Sequence, residues 1–114
     1  VGDQVSPAVV SAIQACFDCA RANVSLAETF ASEDSGNLRE CVQLSLDCAE
    51  MCTAAGEMAS RRTGANGYMV AQLLSACAST ADLCAFECEQ HADANEGCAL
   101  CARLCRSCAE ACRK

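Results

Sequence analysis

The stretch Gly97–Arg113, GCALCARLCRSCAEACR, carries cysteines at 98, 101, 105, 108 and 112, in steps of three, four, three and four. An α-helix turns once in ~3.6 residues, so positions three and four apart stand above one another on one face. A strand would send such positions to alternating faces. The spacing therefore predicts one helix with all five thiols on one side. Arg103, Arg106, Glu110 and Arg113 then lie on the other. Such a stripe needs a partner surface, and the rest of the chain offers matching ones.

Cys41, Cys48 and Cys52 repeat the spacing of Cys77, Cys84 and Cys88, a step of seven and then of four. Helices with the same inward pattern solve the same packing problem. The first segment is also amphipathic. Its polar face runs through Ser11, Gln14, Asp18, Arg21, Ser25, Glu28 and Ser32, and its inner face through Val9, Ile13, Cys16, Ala20, Asn23, Ala27 and Phe30. Cys19 lies beside that inner face. Leu38, Cys41, Ser45, Cys48, Cys52, Ala55 and Ala59 are expected inside the second segment, and Val70, Leu73, Leu74, Cys77, Ala81, Cys84 and Cys88 inside the third.

Turn chemistry separates the segments. Ser6 before Pro7 suits a helix start, and Asn37 with Glu40 has the spacing of a capping box. Ser35-Gly36-Asn37, TGANG at 63–67 and ADANEG at 92–97 are short turns. Helices are predicted over 6–33, 37–62, 67–91 and 96–113, with no strand signal. Short connections make consecutive helices antiparallel, so the fold class is all-α, a single domain over 1–114. It is an up-down-up-down four-helix bundle with a cysteine-lined core.

Thirteen cysteines in 114 residues would suggest a disulfide scaffold in a short secreted chain. Here the number is odd, and one Pro and six Gly do not make a loop-rich chain. Neighbouring thiols on one helix have Cβ atoms ~5–6 Å apart, whereas a disulfide wants ~3.5–4.5 Å. A metal with ~2.3 Å bonds to sulfur bridges two sulfurs up to about 4.6 Å apart, which suits the ladder better. Cysteine as a small hydrophobe explains one or two buried thiols but not thirteen.

A rise of ~1.5 Å per residue sets the expected levels. Cys41, Cys88 and Cys98 lie near the end formed by the first and third turns. Cys84 and Cys101 come next, then Cys48 and Cys105, then Cys19 and Cys108. Cys16, Cys52, Cys77 and Cys112 lie near the far end, which Val5, Val9, Ile13, Met58, Met69, Val70 and Leu73 would plug. All thirteen cysteines are candidate metal ligands in one column. His91, at the open end, is a candidate for the metal entrance, with acidic Glu33, Asp34, Asp93 and Glu96 nearby.

Soft thiolates select Cu(I), zinc or iron–sulfur clusters. Zinc prefers closed sets of four ligands and iron–sulfur sites commonly carry a Cys-Pro signature, which is missing here. A monovalent ion neutralises one thiolate each, so many Cu(I) ions balance many thiols in a dry core. The reading is a protein that stores or buffers several Cu(I) ions. A zinc-thiolate or redox-buffering bundle is the alternative. A single-site copper chaperone would not need this capacity. No enzymatic activity is expected, because no catalytic dyad, phosphate loop or Glu-x-x-His pair is found. A net charge of −7 disfavours nucleic acid, and no apolar run approaches a membrane span. Val10, Phe17 and Val24 form an outer apolar stripe, and Phe86 is a further exposed aromatic; both suggest a subunit interface.

The ladder Cys98-x2-Cys101-x3-Cys105-x2-Cys108-x3-Cys112, with Cys84-x3-Cys88-x2-His91 before it, resembles the bacterial four-helix-bundle copper storage proteins over nearly the whole chain. The resemblance implies Cu(I) held by cysteine thiolates inside the bundle and a homotetramer. The CEQH stretch, Cys88 to His91, and the lack of a visible exported-type leader look like the cytosolic branch, giving a cytoplasmic expectation. Export after signal removal is the alternative, since the cysteine number is nearer that of exported members.

Overall fold

The computed structural model describes residues 7–31, 39–93 and 95–113. It contains α1 (Pro7–Ala31), α2 (Arg39–Ser60), α3 (Gly67–Glu89) and α4 (Glu96–Arg113), and no strand among the described residues. Ser6, Val5, Leu38, the Ser35-Gly36-Asn37 turn, the proposed capping box at Asn37, and Glu33 and Asp34 fall outside the described residues. α1 packs on α2 and α4, and α3 packs on α2 and α4, so the four helices sit at the corners of a square. The predicted all-α bundle is the observed fold.

Local chemistry starts and stops these helices. Asn95 caps α4, its Oδ1 accepting the Cys98 N–H at 3.1 Å. Glu96 then complements the positive end of the helix dipole and Arg113 the negative end. Asn66 precedes α3 but makes no such cap. Its Oδ1 instead accepts the Thr63 N–H at 2.8 Å, and Thr63 Oγ1 accepts the Ala65 N–H at 3.2 Å. The TGANG turn is thus closed on itself. α3 ends at Glu89, two residues before His91.

Small side chains set the width of the bundle. Ala12, Ala20, Ala49, Ala55, Ala78, Ala81, Ala85, Ala102 and Ala109 are buried beside the thiols. Gly56 on α2 receives the Phe17 ring of α1 so closely that a Cβ there would stand 2.8 Å from it. Phe17 is therefore half-buried against its own chain, which corrects its placement on a wholly outer stripe. Val10 and Val24 do remain exposed, as does Phe86. Outside, Arg106 ties α4 to α3 by a bidentate pair with Glu89 at 2.8 and 3.0 Å and a third bond to Asp82 at 3.1 Å. Arg113 holds the other Asp82 oxygen at 2.6 Å. The Arg113 hydrogen bond, then Arg106, keeps the Asp82 carboxyl below its usual range.

Two expectations need correction. The hydrocarbon plug is incomplete. Val70 is buried, but Val9, Ile13, Met58 and Leu73 are half-buried and Met69 is 60% exposed. Ala12 occupies the core position instead, because closely packed helices admit the smaller side chain. Also, α3 is long and apolar enough to cross a membrane by length and composition, with a mean hydropathy of 1.4 in its best window. The reason is its cysteine and alanine content, and that face, Cys77, Ala78, Ala81, Cys84, Ala85 and Cys88, is turned into the bundle.

Candidate metal centre

Twelve cysteines are buried and Cys112 is partly exposed; all thirteen are free thiols. The helix periodicity turns them toward the bundle axis and brings many of their sulfurs close together. At the end formed by the start of α1 and the end of α4, Cys16 Sγ lies 3.6 Å from Cys112 and 3.9 Å from Cys77. Cys77 lies 3.4 Å from Cys52 and 4.0 Å from Cys108. Cys108 is also 3.8 Å from Cys52 and 4.0 Å from Cys112. One turn on, Cys48 stands 3.8 Å from both Cys52 and Cys19, and Cys19 is 3.6 Å from Cys105. Cys19 thus pairs with Cys48 and Cys105, although it also comes within 4.8 Å of Cys52 and Cys108, the level expected for it.

These spacings are far longer than the ~2.05 Å of a disulfide. They match sulfurs sharing a metal with ~2.3 Å bonds, for which trigonal coordination gives about 4.0 Å and a linear bridge about 4.6 Å. Four sets of three or four thiols come within 4.8 Å of one another, and several share a sulfur. Cys16, Cys77, Cys108 and Cys112 form a full quartet. The sulfurs are therefore not purely a column: one group of four closes on itself, yet stays connected to Cys52 through Cys77.

The other half is sparser. Cys41 and Cys88 pair at 3.6 Å, and Cys101 reaches Cys105 at 3.9 Å. Between them sits Asn23, fully buried. Its Nδ2 donates to the Cys19 carbonyl at 2.8 Å and to the sulfurs of Cys19 and Cys105 at 3.3 and 3.6 Å. Its Oδ1 accepts from Cys84 at 3.2 Å and Cys101 at 3.1 Å. Ser45, also fully buried, lies 3.8 Å from the Cys84 sulfur. Sequence reasoning placed Asn23 and Ser45 on inner faces. It did not show that Asn23 and Ser45 insert polar partners into a sulfur network that still runs on through Cys84, Cys101 and Cys105.

Hydrogen bonding sorts the thiols by acidity. Bonds to Cys105 from Cys101, then Cys19, Cys48 and Cys84, hold it well below the ordinary thiol range. Cys84 is pulled down to about 5, chiefly by Cys101. Cys101 itself is pushed up, Cys105 being the main cause. Burial pushes Cys98 up to about 12. A cation bound in this network displaces the protons that the thiols hold.

His91 lies at the far end of α3, half-buried, with its Nε2 3.3 Å from Glu87 Oε2. The structure does not bring it into any of the close thiol sets among the described residues. The four-residue spacing of Glu87 and His91 is visible in the sequence, and it pairs the two side chains on one face.

Known proteins are similar to this chain in sequence and fold. A family model described as Csp, copper storage protein, matches residues 5–114. A cytosolic copper storage protein from Streptomyces lividans, loaded with five coppers, is 37% identical and superposes with a TM-score of 0.88, over 93% of this chain and 89% of that one. The Cu(I)-bound copper storage protein BsCsp3 is 27% identical with a TM-score of 0.83, over 93% of this chain and 95% of that one. An uncharacterized cysteine-rich protein, YhjQ of Bacillus subtilis (strain 168), is 28% identical over 102 residues, 89% of each chain.

Proposed function

Because the chain belongs to the copper storage protein family, we propose that all thirteen cysteines serve as the ligands with which it stores Cu(I). The protein binds several Cu(I) ions through cysteine thiolates inside its bundle. The observation that carries the assignment of ligands is the connected set of nine sulfurs, Cys16, Cys19, Cys48, Cys52, Cys77, Cys101, Cys105, Cys108 and Cys112, each 3.4–4.0 Å from another. Shared sulfurs let each thiolate serve two ions, so capacity approaches the number of thiols. Soft, monovalent Cu(I) suits a dry core in which each thiolate must be neutralised.

Anaerobic titration of the reduced protein with Cu(I), read by native mass spectrometry, tests this. Uptake on the order of ten or more ions per chain is expected from thirteen bridging thiols. Saturation at one or two ions would overturn it. The quartet of Cys16, Cys77, Cys108 and Cys112 is also a set that tetrahedral zinc takes. The second reading is a zinc-thiolate bundle, and it wins if zinc resists displacement by Cu(I).

Copper passes His91 on its way in. The support is the position of His91 beyond Cys88, at the end where exposed Asp93 and Glu96 attract cations. His91→Ala should slow loading while leaving capacity intact. We assign the protein to the cytoplasm by its likeness to the cytosolic Streptomyces protein, and a homotetramer by resemblance to the family. Val10 and Val24 are 55% and 41% exposed on α1, and Leu46 on α2 is 45% exposed beside Val24. Val24→Glu is a cleaner probe than any change at Phe17, which also packs on Gly56. It should shift light-scattering mass downward; an unchanged mass removes this face from the interface.

A further inference from the structure

The half-plugged end holds a pocket of about 280 Å³, open to solvent. Val9 and Ala12 of α1, Val70 and Leu74 of α3, and Cys112 of α4 line it, with Arg62 and Arg113 at its wall. Cys112 is the one cysteine of thirteen that is not wholly buried as a residue. Its sulfur lies 3.6 Å from Cys16 and 4.0 Å from Cys108, so it belongs to the metal-binding quartet as well as to the pocket. Among the described residues the lining contains no carboxylate. Arg113 shares its charge with Asp82 at 2.6 Å, outside the lining, and Arg62 stands exposed. A bare cation is repelled here, whereas a small anion is drawn in. Apolar side chains beside the exposed Arg62 guanidinium suit a molecule with an aliphatic stem and a carboxylate.

We propose that this pocket docks small anionic thiols, which exchange Cu(I) with Cys112 at the end of the bundle opposite His91. The proposal rests on the copper storage reading. The incoming thiol binds a copper already held by Cys112, forming a new Cu–S bond. The Cu–Sγ bond to Cys112 then breaks, and the proton released by the incoming thiol passes to the Cys112 sulfur. No electron moves, and copper remains Cu(I). Loading is the same exchange in reverse. The bundle thereby takes up bare ions at one end and trades with thiol carriers at the other.

Two measurements test it. In the first, the reduced metal-free protein is alkylated with iodoacetate or iodoacetamide and the modified peptides are identified. Cys112 should react first. The ratio of anionic to neutral reagent at Cys112 should fall about fivefold in Arg62→Glu, because local charge sets the local concentration of the anion. In the second, copper is withdrawn from the loaded protein by N-acetylcysteine or by cationic cysteamine. The anionic thiol should be faster by about tenfold at low salt, and Arg62→Glu or a pocket-filling Ala71→Trp should abolish that advantage. Ala71 is exposed, and circular dichroism checks that the variant folds; Arg62→Glu carries the test if it does not. Alkylation that starts elsewhere, or rates indifferent to both variants and to thiol charge, would overturn the proposal. A low copper capacity with the expected alkylation pattern would instead defeat the storage reading and leave the pocket as an anion site beside Cys112.

Discussion

The two halves of the bundle are built from the same helices but hold their thiols differently. Toward the start of α1, sulfur touches sulfur across all four helices, Cys16, Cys52, Cys77 and Cys108 meeting at 3.4–4.0 Å. Toward the start of α4, Asn23 and Ser45 take positions where thiols would continue the pattern, and Cys84 and Cys101 turn to an amide oxygen. The difference teaches that a thiol core can fold without metal in two ways. A weak S–H···S network suffices where sulfurs are dense. Where they thin out, a strong polar group must satisfy them, because buried polar atoms left alone are costly. No buried side-chain nitrogen or oxygen among the described residues lacks a partner.

The largest effect that could break this contrast is on capacity. Replacing Cys52 and Cys108 together by serine should remove on the order of three to five Cu(I) ions, since each sulfur serves several neighbouring sites. Replacing Cys41 and Cys98 should remove about one or two. Native mass spectrometry of both loaded variants decides it, and equal losses would mean that the halves do not differ in density of sites.

Next in size is the metal-free stability of the sparse half. Asn23→Leu keeps the volume but takes the amide oxygen from Cys84 and Cys101, leaving them only weak Ser45 and Cys105 contacts, and should cost about 1–2 kcal/mol. That lowers the melting temperature by about 4 °C or more. Thermal circular dichroism reads it; an unchanged or higher value would show that the amide is no strut. A smaller effect runs the other way. Ser45→Cys should extend the dense pattern into the sparse half and add about one Cu(I) ion, because it restores a thiol beside Cys84. The capacity of this variant against the parent sharpens the comparison directly.

The smallest effect is on pH. Cys98 in the sparse half is raised from 9.0 to about 12 by burial, so the folded state holds its proton more tightly than the unfolded chain. Its contribution to stability is complete below pH 9 and is lost as pH rises toward 12. The metal-free protein should therefore melt progressively lower above pH 9, and Cys98→Ala should flatten that slope. A slope unchanged by the substitution would place the linkage in other thiols.

Most of the fold and much of the site could be read from spacing alone. Steps of three and four put Cys98, Cys101, Cys105 and Cys108 in the core, and they are there. What spacing could not reveal was size. Val9 and Ile13 look more suited to a core than Ala12, yet alanine is buried, because the helices approach too closely for branched side chains. The same close approach set the Phe17 ring on Gly56, a contact between helices that no single-helix pattern contains. The amide at Asn23 was visible on the inner face, but its four sulfur partners come from three helices and depend on their relative heights. The pocket at Arg62 depends on a helix end and a turn meeting α4, which periodicity does not describe.

The stepping of α4 also limits how such a protein can change over time. One inserted or deleted residue turns everything beyond it by ~100°. An insertion after Cys101 would therefore turn Cys105, Cys108 and Cys112 off the ladder together and put Leu104, Ser107 and Ala111 in their places. Loss of function would be abrupt, not graded. Substitutions at single positions, or additions of about seven residues that preserve the phase, are the changes that keep the ladder intact. Capacity in this lineage is thus quantised in its history: it grows by whole pairs of turns or by one thiol at a time, and a frame slip inside a helix is never a small step.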